Sequence, residues 1–543
     1  MTYKTLNNKD LALLPCAETD FHILRERNYL YVDKTALIYN LAITTQKFFL
    51  SRPRRFGKTL LLSTFASLFK YGLRDFKGLA IEKLWTDEKT YPVINIDLSL
   101  YNRFSDLTDF RQRFELVINK ALDGTGEVLP VAENSSDHVP SRFDRVISNF
   151  VKKGLSPVLL IDEYDAPVNY CLNNKELFTQ ISNELADFYA VIKNQSSNFR
   201  FIFITGICKH NILDLFSSGN FIQDISAYPV FSTLTGYTED ELRHYFMPYI
   251  ENAAKILNLS VEQCITKIKQ HYDGFCFDLK ASAHVLNPWS TLNFLSYPDI
   301  GFRNYWYNSA GQPSVLTQYI KEHSLKKPEE YGQERVLSVD DLTNYRGLNG
   351  EFSDTVMLYQ TGYLSIKSAF VEDMTVTLNY PNSEVSESMA KLYTEMVLGN
   401  RTVTSVIGYG PVGLFGTKSP EMVVACLNKL FLSVDYKDYP VKNEATLRAY
   451  LQLYLKVGGI NPLVETHNAK GRSDLEFKVK DRYWVIELKF AKEQDSPKKL
   501  LEEAVAQLKS RQYGEQNETK LQHLRLALVF SQKEKQFVES AAV

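Results

Sequence analysis

The chain has 543 residues, which at roughly 150 residues per domain predicts three or four domains. Hydrophobic residues make up 44% and charged residues 23%, which excludes a disordered chain, a fibrous repeat and a disulfide-stapled mini-protein. The net charge of −2 hides 18 Lys+Arg against 14 Asp+Glu from Val441 to Val543, a local +4 beside −6 elsewhere. A solvated surface explains that asymmetry as well as a polyanionic partner does.

Aromatic residues are rich at 13%, enough for several cores. The six cysteines (Cys16, Cys171, Cys208, Cys264, Cys276, Cys426) form no C-x-x-C pair, which fits reduced thiols better than zinc or disulfides. The start lacks the basic and apolar regions of a signal peptide. No apolar run approaches the roughly 20 residues needed to cross a bilayer. The expectation is a soluble, cytoplasmic protein with no membrane partner.

Up to about Tyr237, short apolar runs alternate with helix-like stretches. Lys47–Ser51, Pro92–Asp97, Pro157–Ile161 and Phe199–Thr205 predict strands buried on both faces, hence a parallel α/β sheet with crossover helices. Thr125–Ser141 holds Gly, Pro, Asn and Ser and reads as a loop.

The first strand leads into Ser51-Arg-Pro-Arg-Arg-Phe-Gly-Lys-Thr59 and then an apolar helical run. A helix N-terminus offers free N–H groups and a positive dipole end, so it attracts phosphate. Arg54, Arg55, Phe56, Gly57, Lys58, Thr59 and Leu60 are therefore candidates to bind ATP. Lys58 would reach the β- and γ-phosphates and Thr59 would complete a Mg²⁺ shell. The Walker A template wants Gly five residues before Gly57, where Arg52 stands. Arg52, Arg54 and Arg55 would supplement phosphate charge, act as fingers toward a neighbouring subunit, or pair with Asp33 or the acidic strand edge.

Val158-Leu-Leu-Ile-Asp162-Glu163 has the Walker B form. Asp162 would hold Mg²⁺ and Glu163 would polarise the attacking water as a catalytic base. Asp165 adds to this acidic edge. Thr205, ending a further strand, is the expected sensor of the γ-phosphate.

From about Thr238 to Ser368 the pattern turns mostly helical. Met374–Tyr380 reads as a strand, and a further helical region leads to a compact α/β unit from about Val441. There Gly471–Lys480 alternates, with Leu475, Phe477 and Val479 on one side and Asp474, Glu476, Lys478 and Lys480 on the other. Asp481-Arg482 reads as the turn. Trp484, Ile486, Leu488 and Phe490 then share a face, and Glu487 and Lys489 project together on the other. Asp474 and Glu487 would hold one or two Mg²⁺ ions, and Lys489 would position water or stabilise charge on the phosphorane. Glu444 and Glu465 are weaker candidates for an additional ligand. The plainer reading is an exposed hairpin with its charges in solvent. His210, His244, His271 and His284 show no ligand spacing.

Phe21-His-Ile-Leu-Arg-Glu-Arg-Asn-Tyr-Leu-Tyr-Val-Asp-Lys-Thr35, the Arg52–Thr59 loop, Ile161-Asp-Glu-Tyr-Asp165 and Phe203-Ile-Thr-Gly206 together resemble the AAA-ATPase-like proteins of bacteria and archaea. The likeness extends through Gly236–Leu242, Tyr272-Asp-Gly-Phe275, Asn287-Pro-Trp-Ser290 and Tyr359-Gln-Thr-Gly-Tyr363, and so covers most of the chain. Such proteins typically carry a C-terminal nuclease-like domain of the PD-(D/E)XK superfamily, and in them Arg-Pro-Arg-Arg is the usual start of the loop. The helix Leu500–Tyr513, with Ala504, Gln507 and Tyr513, resembles that superfamily's post-strand helix and makes Gln507 a further catalytic candidate.

The resemblance implies a P-loop NTPase-like parallel sheet over 1–237, a helical lid or linker over 238–370, and a C-terminal region over 371–543. The core of that last part, about 441–543, is a restriction-endonuclease-like α/β domain. The implied cofactors are ATP and Mg²⁺. The implied partners are nucleic acid, DNA ahead of RNA, and a second copy of the chain. The expected activity is ATP hydrolysis coupled to phosphodiester cleavage. The alternative is an ATP-driven switch whose nuclease-like domain binds nucleic acid or protein without cutting.

Overall fold

Runs of Phe, Ile, Leu and Val that hide both faces form the strands of the first part. The computed structural model describes residues 3–4, 10–101, 103–134, 136–171, 174–209, 221–306, 332–343, 353–468, 471–510 and 521–543. The chain divides into two compact units, Met1–Glu322 with Glu334–Glu384, and His323–Gln333 with Val385–Val543.

In the first unit, β1 (Lys47–Ser51), β2 (Val93–Asp97), β3 (Val158–Asp162), β4 (Phe201–Gly206) and β5 (Gln223–Asp224) form one parallel sheet in the order β2-β3-β4-β1-β5. β3 and β4 are buried along their whole length, as strands covered by helices on both faces must be. One face packs on Leu61, Leu62, Phe65, Leu68 and Phe69 of the helix Lys58–Tyr71. The other packs on the helices Leu107–Leu122, Val139–Lys152 and Lys175–Asn194. Because β4 lies between β1 and β3, the phosphate loop and the acidic edge leave the sheet at the same end, two strands apart.

The expected loop over Thr125–Ser141 ends earlier, since a helix starts at Val139 with Pro140 in its first turn. Proline is favoured there because it lacks an N–H that would be orphaned anyway.

Helices Glu239–Ile256, Val261–Tyr272 and Pro288–Ser296 follow. Thr238 with Glu241 and Ser260 with Gln263 make reciprocal capping boxes, and Asn287 caps the third helix. Two strands also fall in this mostly helical stretch, β6 (Arg335–Ser338) and β7 (Ser365–Phe370). They flank β8 (Thr375–Asn379), the strand that was expected, in an antiparallel sheet of order β6-β8-β7.

The second unit is built on β9 (Leu463–Asn468), β10 (Gly471–Val479), β11 (Arg482–Ala491), β12 (Gln522–Ser531) and β13 (Gln536–Ala542), paired in chain order. Only β11 and β12 run parallel, and the crossover between them carries the helix Pro497–Ser510. Leu475, Phe477, Trp484, Ile486, Leu488 and Phe490 form one core with the helices Pro411–Thr417, Pro420–Leu432 and Glu444–Val457. Tyr483 and Val485, on the opposite face, pack under Ala504 and Leu508 of the crossover helix. The hairpin turn is Lys480-Asp481, with Lys480 at φ 54, and Arg482 already pairs with Val479. The expected end of the crossover helix at Tyr513 lies outside the described residues.

Among the described residues, no helix is long and apolar enough to cross a membrane.

Candidate functional site

The helix Lys58–Tyr71 begins at the end of the loop that follows β1. Gly57 precedes it in a left-handed conformation at φ 82, which costs glycine little because it has no Cβ. Lys58 is buried, and its Nζ donates to the Arg52 and Pro53 carbonyls at 3.1 Å each. Burial pulls its ammonium below the ordinary lysine range, against the pull of Glu163, Asp162 and Asp165.

Arg52, standing where the Walker template has Gly, has a different task from those expected of it. It is 1% exposed, donating from Nη1 to the Ser51 and Ser226 carbonyls at 2.9 and 2.8 Å and from Nη2 to the Phe231 carbonyl at 3.1 Å. Its guanidinium lies 4.3 Å from the centre of the Phe277 ring, and burial pushes it down to about 10. Arg52 therefore braces the loop from behind. Asp33, an expected partner for the arginines, instead caps Thr35 and accepts from Ala80.

The loop is also pinned from outside. Trp306 Nε1 donates to the Arg54 carbonyl at 3.1 Å, and the Trp306 amide donates to Glu384 at 2.7 Å. Gly362, in the Tyr359–Tyr363 motif, lies so close to Pro53 that a Cβ there would come within 2.7 Å of the proline ring.

The acidic edge meets the helix start directly. Thr59 Oγ1 donates to Asp162 Oδ2 at 2.7 Å. Burial raises the carboxyls of both Asp162 and Glu163 above the usual range, with Lys58 pulling them back. Glu163 sits at φ 47 and Arg55 at φ 66, conformations that non-glycine residues hold only when their surroundings over-determine them. Asp165 faces inward instead, accepting from the Ile207 and Cys208 amides and from Asn169, and so ties the end of β4 to the edge. Thr205, the expected sensor, is fully buried and donates to the Leu50 carbonyl of β1 at 2.7 Å.

Arg54, Arg55, Phe56, Gly57, Lys58, Thr59, Leu60 and Glu163 line a cavity of about 400 Å³. Leu30, Tyr31, Leu234, Tyr237, Pro288 and Leu292 also line it, and Trp289 places its ring 4.2 Å from the Arg55 guanidinium. Phe56 turns away into Phe275 and Phe277. Apolar lining beside a helix N-terminus with a buried lysine suits a nucleotide, which has an apolar base and charged phosphates. A hydroxyl beside a carboxylate is the oxygen pair that Mg²⁺ takes. The apolar and aromatic lining residues were missed as site residues, although Tyr31, Tyr237, Pro288 and Trp289 all lie in motifs that carried the resemblance.

In the second unit, the charged side of the hairpin is only partly a solvent face: Lys478 and Lys480 are exposed, whereas Glu487 and Glu476 are 3% and 4% exposed, so the plainer reading fails for these carboxylates. Glu476 is internal scaffolding, accepting from Ser473 and Tyr483 at 2.6 Å each. Leu475 pairs with Ile486, and one step beyond it Asp474 Oδ2 accepts from the Leu488 amide at 2.8 Å. Asp474 Oδ1 accepts from Arg448 at 3.1 Å, and Lys489 Nζ lies 3.4 Å from Glu487 Oε1. Glu444 accepts from the Phe490 amide at 3.3 Å. Glu465 stands at the register position opposite Asp474, between the pairs Val464–Leu475 and Thr466–Ser473; its side chain lies outside the described residues. Gln507 Oε1 is buried without a hydrogen-bond partner. Hard carboxylate oxygens on adjoining strands fit a divalent ion, and the cations now beside them occupy the place of its charge. No cluster of three His, Cys, Asp or Glu forms a ready metal cage among the described residues.

Residues 15–216 match a family model described as predicted AAA-ATPase, and residues 442–540 match the PD-(D/E)XK nuclease superfamily. An uncharacterized protein in the vnfD 5′ region of Azotobacter chroococcum mcd 1 is 30% identical over 380 residues, covering 69% of this chain and 69% of that protein. The structure of the Aeropyrum pernix ORC2 protein in ADPNP–ADP complexes covers 70% of this chain and 96% of its own, at 11% identity and a TM-score of 0.25. At that score it bears nothing on the fold, which rests on the strand order above.

Proposed function

We propose that this chain, which belongs to the family of predicted AAA-ATPases with a C-terminal PD-(D/E)XK nuclease-superfamily domain, hydrolyses ATP and couples that cycle to Mg²⁺-dependent cleavage of nucleic acid, DNA ahead of RNA. The observation that carries the nucleotide half is that Lys58, Thr59 and Glu163 line one cavity together with apolar side chains, with Thr59 bonded to Asp162.

Lys58 and the free amides of the helix start hold the phosphates. Thr59 and Asp162 would hold the metal ion, whose chemistry is charge neutralisation on the phosphates and, in the second unit, a lowered pKa of bound water. Glu163, its proton affinity raised by burial, accepts the proton of the attacking water. Arg54 and Arg55 line the cavity of their own chain, which supports a role in cis. Pro288, Trp289 and Leu292 line the same cavity, which supports a lid role for 238–370 between an ATPase-like part over 1–237 and a C-terminal part over 371–543. In that C-terminal part, Asp474 and Glu487 would hold the ion, Lys489 would steady charge on the phosphate, and Gln507 would bind close by.

The test is cleavage of DNA and RNA in Mg²⁺ by the full chain. Asp474→Ala and Lys489→Ala are each expected to lose roughly 10²-fold or more in rate while keeping the wild-type fold. Wild-type rates in both would remove the cutting reading and leave the nucleotide-driven switch.

A further inference from the structure

Each residue of the phosphate loop from Arg52 to Phe56 is met by a residue of the first unit that lies far along the chain. Arg52 and Phe56 meet Phe277, Pro53 meets Gly362, Arg54 meets Trp306, and Arg55 meets Trp289. Two of these contacts bear on arginines that line the nucleotide cavity. Trp306 Nε1 donates to the Arg54 carbonyl at 3.1 Å, and the Trp289 ring lies 4.2 Å from the Arg55 guanidinium. The two tryptophans come from different segments, and one carboxylate joins them. Glu384, in the first turn of the helix Ser383–Val397, is fully buried. Its Oε1 accepts from the Trp306 amide at 2.7 Å, and its Oε2 accepts at 2.8 Å from the hydroxyl of Ser290, the neighbour of Trp289.

We propose that Glu384 is a positioning residue of the nucleotide site: acting through Trp306 and Ser290, it sets Arg54 and Arg55 against the phosphates of ATP. The inference rests on the ATP-hydrolysing reading of that cavity. Taking a carboxyl group out of water is costly unless hydrogen bonds replace its hydration. Here both donors belong to segments that touch the loop, so the bonds that hold Glu384 also tie those segments together. The loop needs such a hold. Arg55 stands at φ 66, which a non-glycine residue keeps only when its neighbours over-determine it. An arginine on a loop also has many rotamers to lose. Fixing both arginines before ATP arrives takes that ordering cost out of the chemical step. Neither Trp306 nor Glu384 lies in a motif that carried the family resemblance.

Steady-state hydrolysis of ATP in Mg²⁺ by the full chain gives kcat and KM for each variant, and the melting temperature checks the fold. Glu384→Ala and Trp306→Phe, the latter keeping a ring and removing Nε1–H, are each expected to lower kcat about tenfold while KM moves less than about threefold. Glu384→Gln is expected to stay within about twofold of wild type, because its carbonyl accepts from the Trp306 amide and its N–H donates to the Ser290 hydroxyl. In a chain already carrying Arg54→Ala and Arg55→Ala, adding Glu384→Ala is expected to cost no more than about twofold in kcat, since the side chains it sets are gone. A merely structural role would lower the melting temperature and cost the same in either background. A tenfold loss that persists without the two arginines therefore overturns the proposal. Wild-type kcat in Trp306→Phe overturns it too, whether or not Glu384→Ala folds. A wild-type chain that hydrolyses no ATP removes the ATPase reading, and this inference with it.

Discussion

The nucleotide cavity and the hairpin site carry similar chemistry, carboxylates beside lysine, yet hold it differently. In the first unit Lys58 rests on two backbone carbonyls while Asp162 is met by a neutral hydroxyl. Burial there shifts Lys58 down and Asp162 and Glu163 up. In the second unit Asp474 and Glu487 each face a protein cation, Arg448 and Lys489 respectively. One site stores perturbed charge around a cavity; the other holds carboxylate–cation pairs. The first is poised for a ligand that brings its own charge in bulk; in the second, an entering cation meets carboxylates that already face one.

The largest effect that sharpens this contrast is expected from Glu163→Gln. Loss of the base should lower ATP hydrolysis by roughly 10²-fold or more, while ATP at 100 times its dissociation constant still stabilises the protein by about 2.7 kcal/mol in thermal unfolding. Full hydrolysis in that variant would break the assignment. Lys58→Ala is expected to abolish the ATP-dependent rise in melting temperature.

Arg52→Met comes next. Three carbonyls, one in a buried contact and two in part-buried ones, would lose a donor, the buried one costing about 1–3 kcal/mol, so chemical denaturation should show a loss of about 2 kcal/mol or more. A neutral result would mean that the loop needs no brace behind it.

The pH dependence follows from the sign of the shifts. Glu163 acts deprotonated and its carboxyl is raised by burial, so hydrolysis should fall on acidification at a pH above the ordinary glutamate range. A steady-state pH profile flat through pH 5 would contradict that placement.

The smallest effect concerns Arg55, which is held at φ 66 over Trp289. Arg55→Ala should lose about 0.5–1 kcal/mol of cation–π contact and keep the strain. Arg55→Gly should be more stable than Arg55→Ala by about 1 kcal/mol, since glycine tolerates that φ. Equal stability of the two would show the backbone to be unstrained.

Much of the first unit was legible because its chemistry sits on contiguous runs. The strand Lys47–Ser51 was read at its true bounds, and the Gly57-Lys58-Thr59 and Asp162-Glu163 runs meet where the parallel strands end. Arg52 was misread because burial reverses what a polar residue at a strand end does, and composition does not report burial at a single position. The apolar lining of the cavity was missed since Tyr31, Leu234 and Pro288 come from three distant segments. In the second unit the alternation of the hairpin was plain. That Glu476 and Glu487 are buried was not, because the cover comes from the crossover helix and from helices before the sheet. Arg448 shows the same limit: a partner brought by tertiary packing leaves no local spacing to read.

The central claim, that nucleotide binding at Lys58 governs cutting at Asp474, is tested most directly by Mg²⁺-dependent cleavage of a DNA duplex with and without ATP, in the wild type and in Lys58→Ala. ATP is expected to change the cleavage rate of the wild type and to leave that of Lys58→Ala unchanged. Cleavage that is indifferent to ATP in the wild type would contradict the claim.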